Sequence, residues 1–366
     1  MAGELVWSEI GERVRQVRLA MGMTQSDLAQ AMSLDRTMIA KVEAGTRRLD
    51  AVELIRLSSA LRVSMDHLIR PHPEVISRRS AQLTEDTDSA VTRQSHRLEI
   101  ALVEWLREVR QLIDLGVLRQ PALLRYPGEV ATEADARQAA AWVRAELGLG
   151  DEPIDSIVKV CESAGQFVLA TDLAGEGASV LDGDVAVAVV SRVPDPGRRR
   201  ATVAHELGHM IIGDEYSSDL GLHASRSERE AVIDAFAAEL LLPVATLAAG
   251  SGSSESLSRA RLVEFAARYR ASWSLALRQA GLAGLVSREA RQAWSKANPT
   301  RSEFMEAVGW TPQPDLQDEI VPPTYAQSVM HAWWRNKITD RRAVALMHGQ
   351  ISAADLPTRD DSDVEP

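Results

Sequence analysis

The five residues His205-Glu206-Leu207-Gly208-His209 constrain this chain more than any other feature. Read as helix, they set two histidines at i and i+4, one turn apart on the same face. Two imidazoles so placed can share one Zn²⁺, with Glu206 beside it to take a proton from a bound water. The flanking residues predict that helix. Val203, Leu207, Met210 and Ile211 recur at helical spacing, no proline interrupts 200–213, and Gly213 offers a stop.

Two histidines do not complete such a site, because a catalytic zinc takes three protein ligands and keeps one position open. The short-spaced third histidine of HExxHxxGxxH is absent, since Ile212 and Glu215 hold the diagnostic places. An acid from a later helix is the usual substitute. The segment 227–243 is acidic at its start and apolar toward its end, and three of its acids compete: Glu228, Glu230 and Asp234. Glu230 and Asp234 share a face at i and i+4, so one can ligate while the other orients a histidine. Cys161 is the single cysteine, which excludes a disulfide framework and thiolate-rich zinc sites.

A length of 366 residues allows two or three domains with a substantial core. The net charge of −11 argues against a chain that coats nucleic acid everywhere, yet Arg36, Lys41, Arg47 and Arg48 crowd one short stretch. No run approaches the ~20 apolar residues of a membrane span, and the first residues lack the basic and apolar regions of an export signal. The expected location is cytoplasmic and nucleoid-associated, with no membrane partner.

Five short helical patterns fill residues 8–70, with Thr24 and Asp35 as caps and Gly45 as a stop. A polar linker follows, and longer helices are expected over Leu98–Leu115 and Ala131–Leu147. Between them and the HExxH helix, Gln166–Ala170 and Val185–Val190 read as short strands. Gly175, Gly177 and Asp182-Gly183-Asp184 read as turns between them. Helical patterns then return from Glu228 onward, divided by Pro299, Pro312, Pro314 and Pro322-Pro323.

Residues 23–45 resemble the helix-turn-helix of the Xre/Cro/C1 repressor family through Thr24-Gln25, Leu28-Ala29, an apolar turn and Ile39-x-x-x-Glu43-x-Gly45. The resemblance implies that Arg36, Thr37 and Lys41 look at base edges of a double-stranded DNA operator. It also implies that Gln25, Arg47 and Arg48 meet phosphates, and that two copies read two half-sites as a homodimer. The same core would also suit a five-helix protein-interaction module.

HELGH followed by Glu230-x-x-x-Asp234-x-Phe236-Ala-Ala-Glu-Leu-Leu-Leu-Pro243 is similar to the ImmA/IrrE family of metallopeptidases, over about 160–243. Members often carry an Xre-type helix-turn-helix in front. The family's E-x-x-A-[ND]-x-F-A pattern implies Glu230 as the third ligand beside His205 and His209, with Asp234 at the Asn/Asp position. Ile233 stands where the family usually has alanine, which keeps Glu228 as the fallback ligand. The resemblance further implies Zn²⁺ as cofactor, Glu206 as general base, and cleavage of a specific repressor or antitoxin protein, in response to stress or DNA damage. Tyr216 and His223 are the candidates to support the oxyanion. The competing expectation is a non-enzymatic helix-turn-helix transcription factor of prophage or toxin–antitoxin type, whose zinc is sensory or structural.

The expected fold class is therefore mainly α with a small β-sheet (α+β). A five-helix helix-turn-helix domain would span 8–70, followed by a linker over 71–97 and a zincin-like metallopeptidase domain over 98–249. A helical C-terminal region over 250–357 and an acidic, disordered tail over 358–366 would complete it. Within the C-terminal region, 262–277 looks like a second helix-turn-helix element with Ser272 as cap, suited to packing or substrate docking. Arg198-Arg199-Arg200 reads as a solvated charge run, and Trp333-Trp334 as a seal on the C-terminal helices.

Overall fold

The structure, a computed structural model, describes residues 6–70, 89–213, 223–250, 256–312, 316–317 and 320–357. It is mostly helical with one small mixed sheet, the α+β class expected. Most of the linker with Pro71 and Pro73, Tyr216, the side chain of His223, Pro314 and the acidic tail lie outside the described residues.

Five short helices form the N-terminal unit: α1 (Trp7–Ala20), α2 (Gln25–Met32), α3 (Arg36–Glu43), α4 (Ala51–Leu61) and α5 (Met65–Ile69). Local chemistry sets their ends. Thr24 and Asp27 cap each other reciprocally at the start of α2, and Asp50 and Glu53 do the same for α4. Asp35 stands at the start of α3 as expected, but its side chain makes no capping bond. Ile10, Val14, Leu28, Ile39, Leu57 and Leu68 close the core. Inside it Arg18 Nε donates to Glu43 Oε1 at 2.5 Å and Arg18 Nη2 to Glu43 Oε2 at 3.1 Å.

The long helix Ala90–Asp114 starts well before Leu98, where its apolar pattern begins. Its first two turns are exposed or half-buried and mostly polar, so they carry no apolar period to read. Ser89 caps them, and Arg97 Nε reaches the Ala20 carbonyl of α1 at 2.7 Å. Helices Glu133–Glu146 and Ile157–Ser163 precede the sheet.

Three strands form that sheet, β1 (Gln166–Thr171), β2 (Gly177–Asp182) and β3 (Val185–Ser191), in the order β1-β3-β2. β1 runs parallel to β3 and β2 antiparallel to it. β2 lies between the turns expected at Gly177 and at Asp182-Gly183-Asp184, and the sequence predicts no strand there because the segment is short and opens on glycine. It is nevertheless half of a hairpin closed at Gly183-Asp184. The central strand β3 is buried along its whole length, as an unbroken apolar run demands when both faces are covered.

The two faces meet different partners. Ala186, Ala188 and Val190 join the core of the helices Pro196–Ile212 and His223–Leu241. Val185, Val187 and Val189 join Leu102, Trp105 and Leu106 of the long helix, together with the C-terminal helices Pro323–Trp334 and Asp340–Leu346. Trp105 stacks against Tyr325 with ring centroids 4.5 Å apart, and its Nε1 donates to the Phe167 carbonyl at 3.0 Å. The end of the chain thus completes the layer opposite the HExxH helix.

Two expectations need correction. Arg198-Arg199-Arg200 is no solvated run, because the first turns of a docked helix must bury one of any three neighbours. Arg200 is fully buried with Nη2 on the Ile154 carbonyl at 2.5 Å, Arg199 Nε holds the Pro194 carbonyl at 2.6 Å, and Arg198 pairs with Glu176. Of the tryptophan pair only Trp333 seals, with its Nε1 on Asp340 at 2.8 Å; Trp334 is 51% exposed. The second helix-turn-helix-like element does form, as helices Arg259–Arg268 and Trp273–Leu282, with Ser272 capping the latter. Leu262, Phe265, Trp273 and Leu277 bury its apolar face in the core shared with Phe236.

Candidate metal centre

The HExxH segment lies in the helix Pro196–Ile212, which Asp195 caps, Pro196 opens and Gly213 ends. Val203, Leu207 and Ile211 face the core and hold the helix against the sheet. Gly208 lets the next helix come close: a Cβ there would meet Phe236 Cδ1 at 2.8 Å and Ile233 Cγ2 at 3.1 Å. The small residue inside HELGH therefore sets how near His223–Leu241 approaches the two histidines.

That approach brings the third donor in. His205 Nε2 lies 3.2 Å from His209 Nε2 and 3.1 Å from Glu230 Oε2. Donor atoms of His205, His209 and Glu230 all lie within 4.8 Å of one another. A tetrahedral zinc with bonds near 2.0–2.1 Å separates its ligand atoms by about 3.3 Å, which the His205–His209 and His205–Glu230 separations match. Two nitrogens and a carboxylate oxygen form the borderline set that such an ion favours. Glu228 is exposed and stands outside this group.

Asp234, one turn beyond Glu230, places Oδ1 2.9 Å from His205 Nδ1, which fixes the ring with Nε2 turned to the cluster. Arg278 of the helix Trp273–Leu282 donates to the Asp234 backbone carbonyl and braces this turn. Burial disfavours a charged His205, but the hydrogen bonds to Asp234 and Glu230 outweigh it and push the imidazole up to about 10. The site thus attracts positive charge at His205 Nε2, and a metal taking that position must displace a proton.

Glu206 turns the other way, toward the sheet. Ser179 Oγ of β2 donates to Glu206 Oε2 at 2.5 Å, and both residues are buried. Gln166 Nε2 of β1 donates to the Glu206 backbone carbonyl at 3.0 Å. The sequence does not single out Ser179, because the short segment that carries it lies between two turn signals and predicts no strand. The Asp182-Gly183-Asp184 turn before the Val185 run is the signal that a hairpin partner precedes it.

In the N-terminal unit, Arg36, Thr37 and Lys41 are exposed on α3, beside Met38. Arg48 is also exposed, in the loop after α3. Gln25 and Arg47 are held within the fold: Gln25 Nε2 donates to Glu43 Oε2 at 2.8 Å, and Arg47 Nη2 to Glu53 Oε1 at 2.6 Å.

A family model described as Helix-turn-helix matches residues 14–68. A peptidase model, M78, described as the IrrE N-terminal-like domain, matches residues 161–279. The chain carries a helix-turn-helix domain and an IrrE N-terminal-like domain. The second match reaches from before the sheet into the Trp273–Leu282 helix, so it takes in the HExxH helix, the Glu230 helix and the Arg278 that braces Asp234. The solved restriction-modification controller protein C.AhdI from Aeromonas hydrophila is 33% identical over 17% of this chain and 96% of that chain, with a TM-score of 0.17. No curated protein matches the chain. Among the described residues no helix is long and apolar enough to cross a membrane. The helix-turn-helix domain supports DNA binding, and the M78 match a metallopeptidase-like domain.

Proposed function

We propose that this protein is a DNA-binding transcriptional regulator with zinc-dependent endopeptidase activity, directed at a specific repressor or antitoxin protein. The convergence of His205, His209 and Glu230 on one point, with Glu206 next to His205 in the helix and its carboxylate held by Ser179, carries the reading. In it, residues 8–70 anchor a homodimer to operator DNA in the cytoplasm, at the nucleoid, and residues 98–249 cut during a stress response. The C-terminal helices over 250–357 support that domain.

His205, His209 and Glu230 would hold a zinc ion, which would supply Lewis-acid chemistry for peptide hydrolysis. Asp234 keeps the His205 ring turned for ligation. Glu206 takes a proton from the attacking water and returns it to the leaving amine. β2 is the edge of the sheet on the Glu206 side, so an extended peptide can pair with it and lie alongside the base. On the DNA side Arg36, Thr37 and Lys41 project from α3 and Arg48 stands exposed for a phosphate contact, while Gln25 and Arg47 reach phosphates only by leaving Glu43 and Glu53.

The test compares the proteomes of cells carrying the wild-type chain or Glu206→Gln. Fragments of one protein are expected with the wild type and not with the variant, while both bind zinc. Equal cleavage by a zinc-loaded Glu206→Gln removes the peptidase reading. A change confined to folding or DNA affinity favours the transcription factor with a sensory or structural metal.

A further inference from the structure

Glu206 is gripped from β2 by residues that lie outside the HExxH motif. Ser179 shares a sheet face with the buried apolar Val168, Ala170, Ala186, Ala188 and Val190, under the HExxH helix, and with Gln166, whose amide already serves the Glu206 carbonyl. A hydroxyl set into such a face costs free energy unless it is bonded. Its bond goes to Glu206 Oε2 at 2.5 Å. Two residues earlier on the same face, a Cβ at Gly177 would stand 3.0 Å from Glu206 Oε1, 3.2 Å from Glu206 Cγ and 2.8 Å from Thr202 Cγ2. The strand therefore ties one carboxylate oxygen and leaves space for the other. Among the described residues Glu206 Oε1 makes no hydrogen bond.

We propose that Ser179 and Gly177 are positioning residues that fix the Glu206 carboxylate in one orientation, with Oε2 tied and Oε1 left to accept the proton. This rests on the reading of Glu206 as general base. A glutamate side chain has three rotatable bonds, and a base works only within hydrogen-bond reach of its proton. The serine bond removes the wandering orientations before substrate arrives, and an alanine at 177 would push Oε1 out of place.

The zinc-loaded full-length chain tests this with acetohydroxamate, a small chelator whose hydroxyl and amide groups can bond a neighbouring carboxylate. Zinc affinity and acetohydroxamate affinity are measured separately by titration. Ser179→Ala is expected to weaken acetohydroxamate about tenfold, the order of one hydrogen bond to a charged group. Ser179→Thr should restore it, and zinc affinity should stay at the wild-type level in both. Gly177→Ala, which keeps the hydroxyl, should weaken acetohydroxamate likewise. Wild-type acetohydroxamate binding by Ser179→Ala, with binding weakened in Glu206→Gln, overturns the positioning role and leaves the base standing. Unaffected binding by Glu206→Gln overturns both. Loss of zinc affinity in Ser179→Ala also overturns it, since a structural role then explains the result.

Discussion

In the helix-turn-helix domain the polar side chains divide into a buried clamp of Arg18 and Glu43, which half-buried Gln25 also bonds, and an exposed row of Arg36, Thr37 and Lys41. In the metal centre they converge instead: His205, His209 and Glu230 turn toward one another, with Asp234 behind and Ser179 across from Glu206. The first arrangement satisfies its buried charges internally and presents the rest to a partner. The second gathers negative and lone-pair density at one point, where only a cation or a proton relieves it. A charge inside the N-terminal core is thus part of the fold, whereas a charge in the metal centre is set out for chemistry.

The comparison breaks most visibly at Arg18, which is fully buried. Arg18→Ala strands the Glu43 carboxylate and is expected to destabilise the N-terminal domain by about 3–5 kcal/mol, read by chemical denaturation. A loss below about 1 kcal/mol would place the pair among surface-like bridges and erase the contrast. Next comes Asp234→Ala, expected to weaken zinc binding by about 10–100-fold while the melting of the metal-free chain changes little. If metal-free stability falls and zinc affinity holds, Asp234 is a fold residue.

A third, smaller effect belongs to the exposed row. Binding to operator DNA should weaken in Arg36→Ala/Lys41→Ala, and its salt dependence should fall with the two positive charges removed. Arg47→Ala should do less, because Glu53 already holds that guanidinium. An unchanged slope in the double variant would remove this face from DNA contact. The smallest effect concerns acid. A hydrogen bond from Arg259, with further bonds at Thr300, holds the Glu303 carboxyl down to about 2, against an ordinary value of 4.5. The unfolded chain therefore takes up this proton first. The stability Glu303 contributes is present above pH 4.5 and declines as pH falls through 2. Glu303→Gln should flatten that part of the acid melting curve, and identical curves would show that the pair contributes nothing.

Much of this was legible in residue order, for reasons that differ by region. Capping residues are local, so Thr24 and the α3 stop at Gly45 could be read from a few neighbours. The i, i+4 pairs His205/His209 and Glu230/Asp234 are equally local, and helix geometry alone put each pair on one face. What joins them is Gly208, a packing position whose meaning depends on Phe236 across the helix interface. Ser179 could not be read, because its partner is Glu206, 27 positions away, and its strand exists only through pairing with β3. The early start of the long helix and the C-terminal cover over the sheet were hidden for the same reason. Docking Arg97 on Ala20 and Tyr325 on Trp105 leaves no periodic trace in either segment.

Three donors and one ion define the metal centre, so the most direct measurement is the zinc content of the purified full-length chain and four variants. About one zinc per chain is expected in the wild type, in Glu206→Gln and in Glu228→Ala, with zinc lost from His209→Ala and Glu230→Ala. Zinc retained by Glu230→Ala, or lost from Glu228→Ala, would contradict the donor set and with it the centre described here.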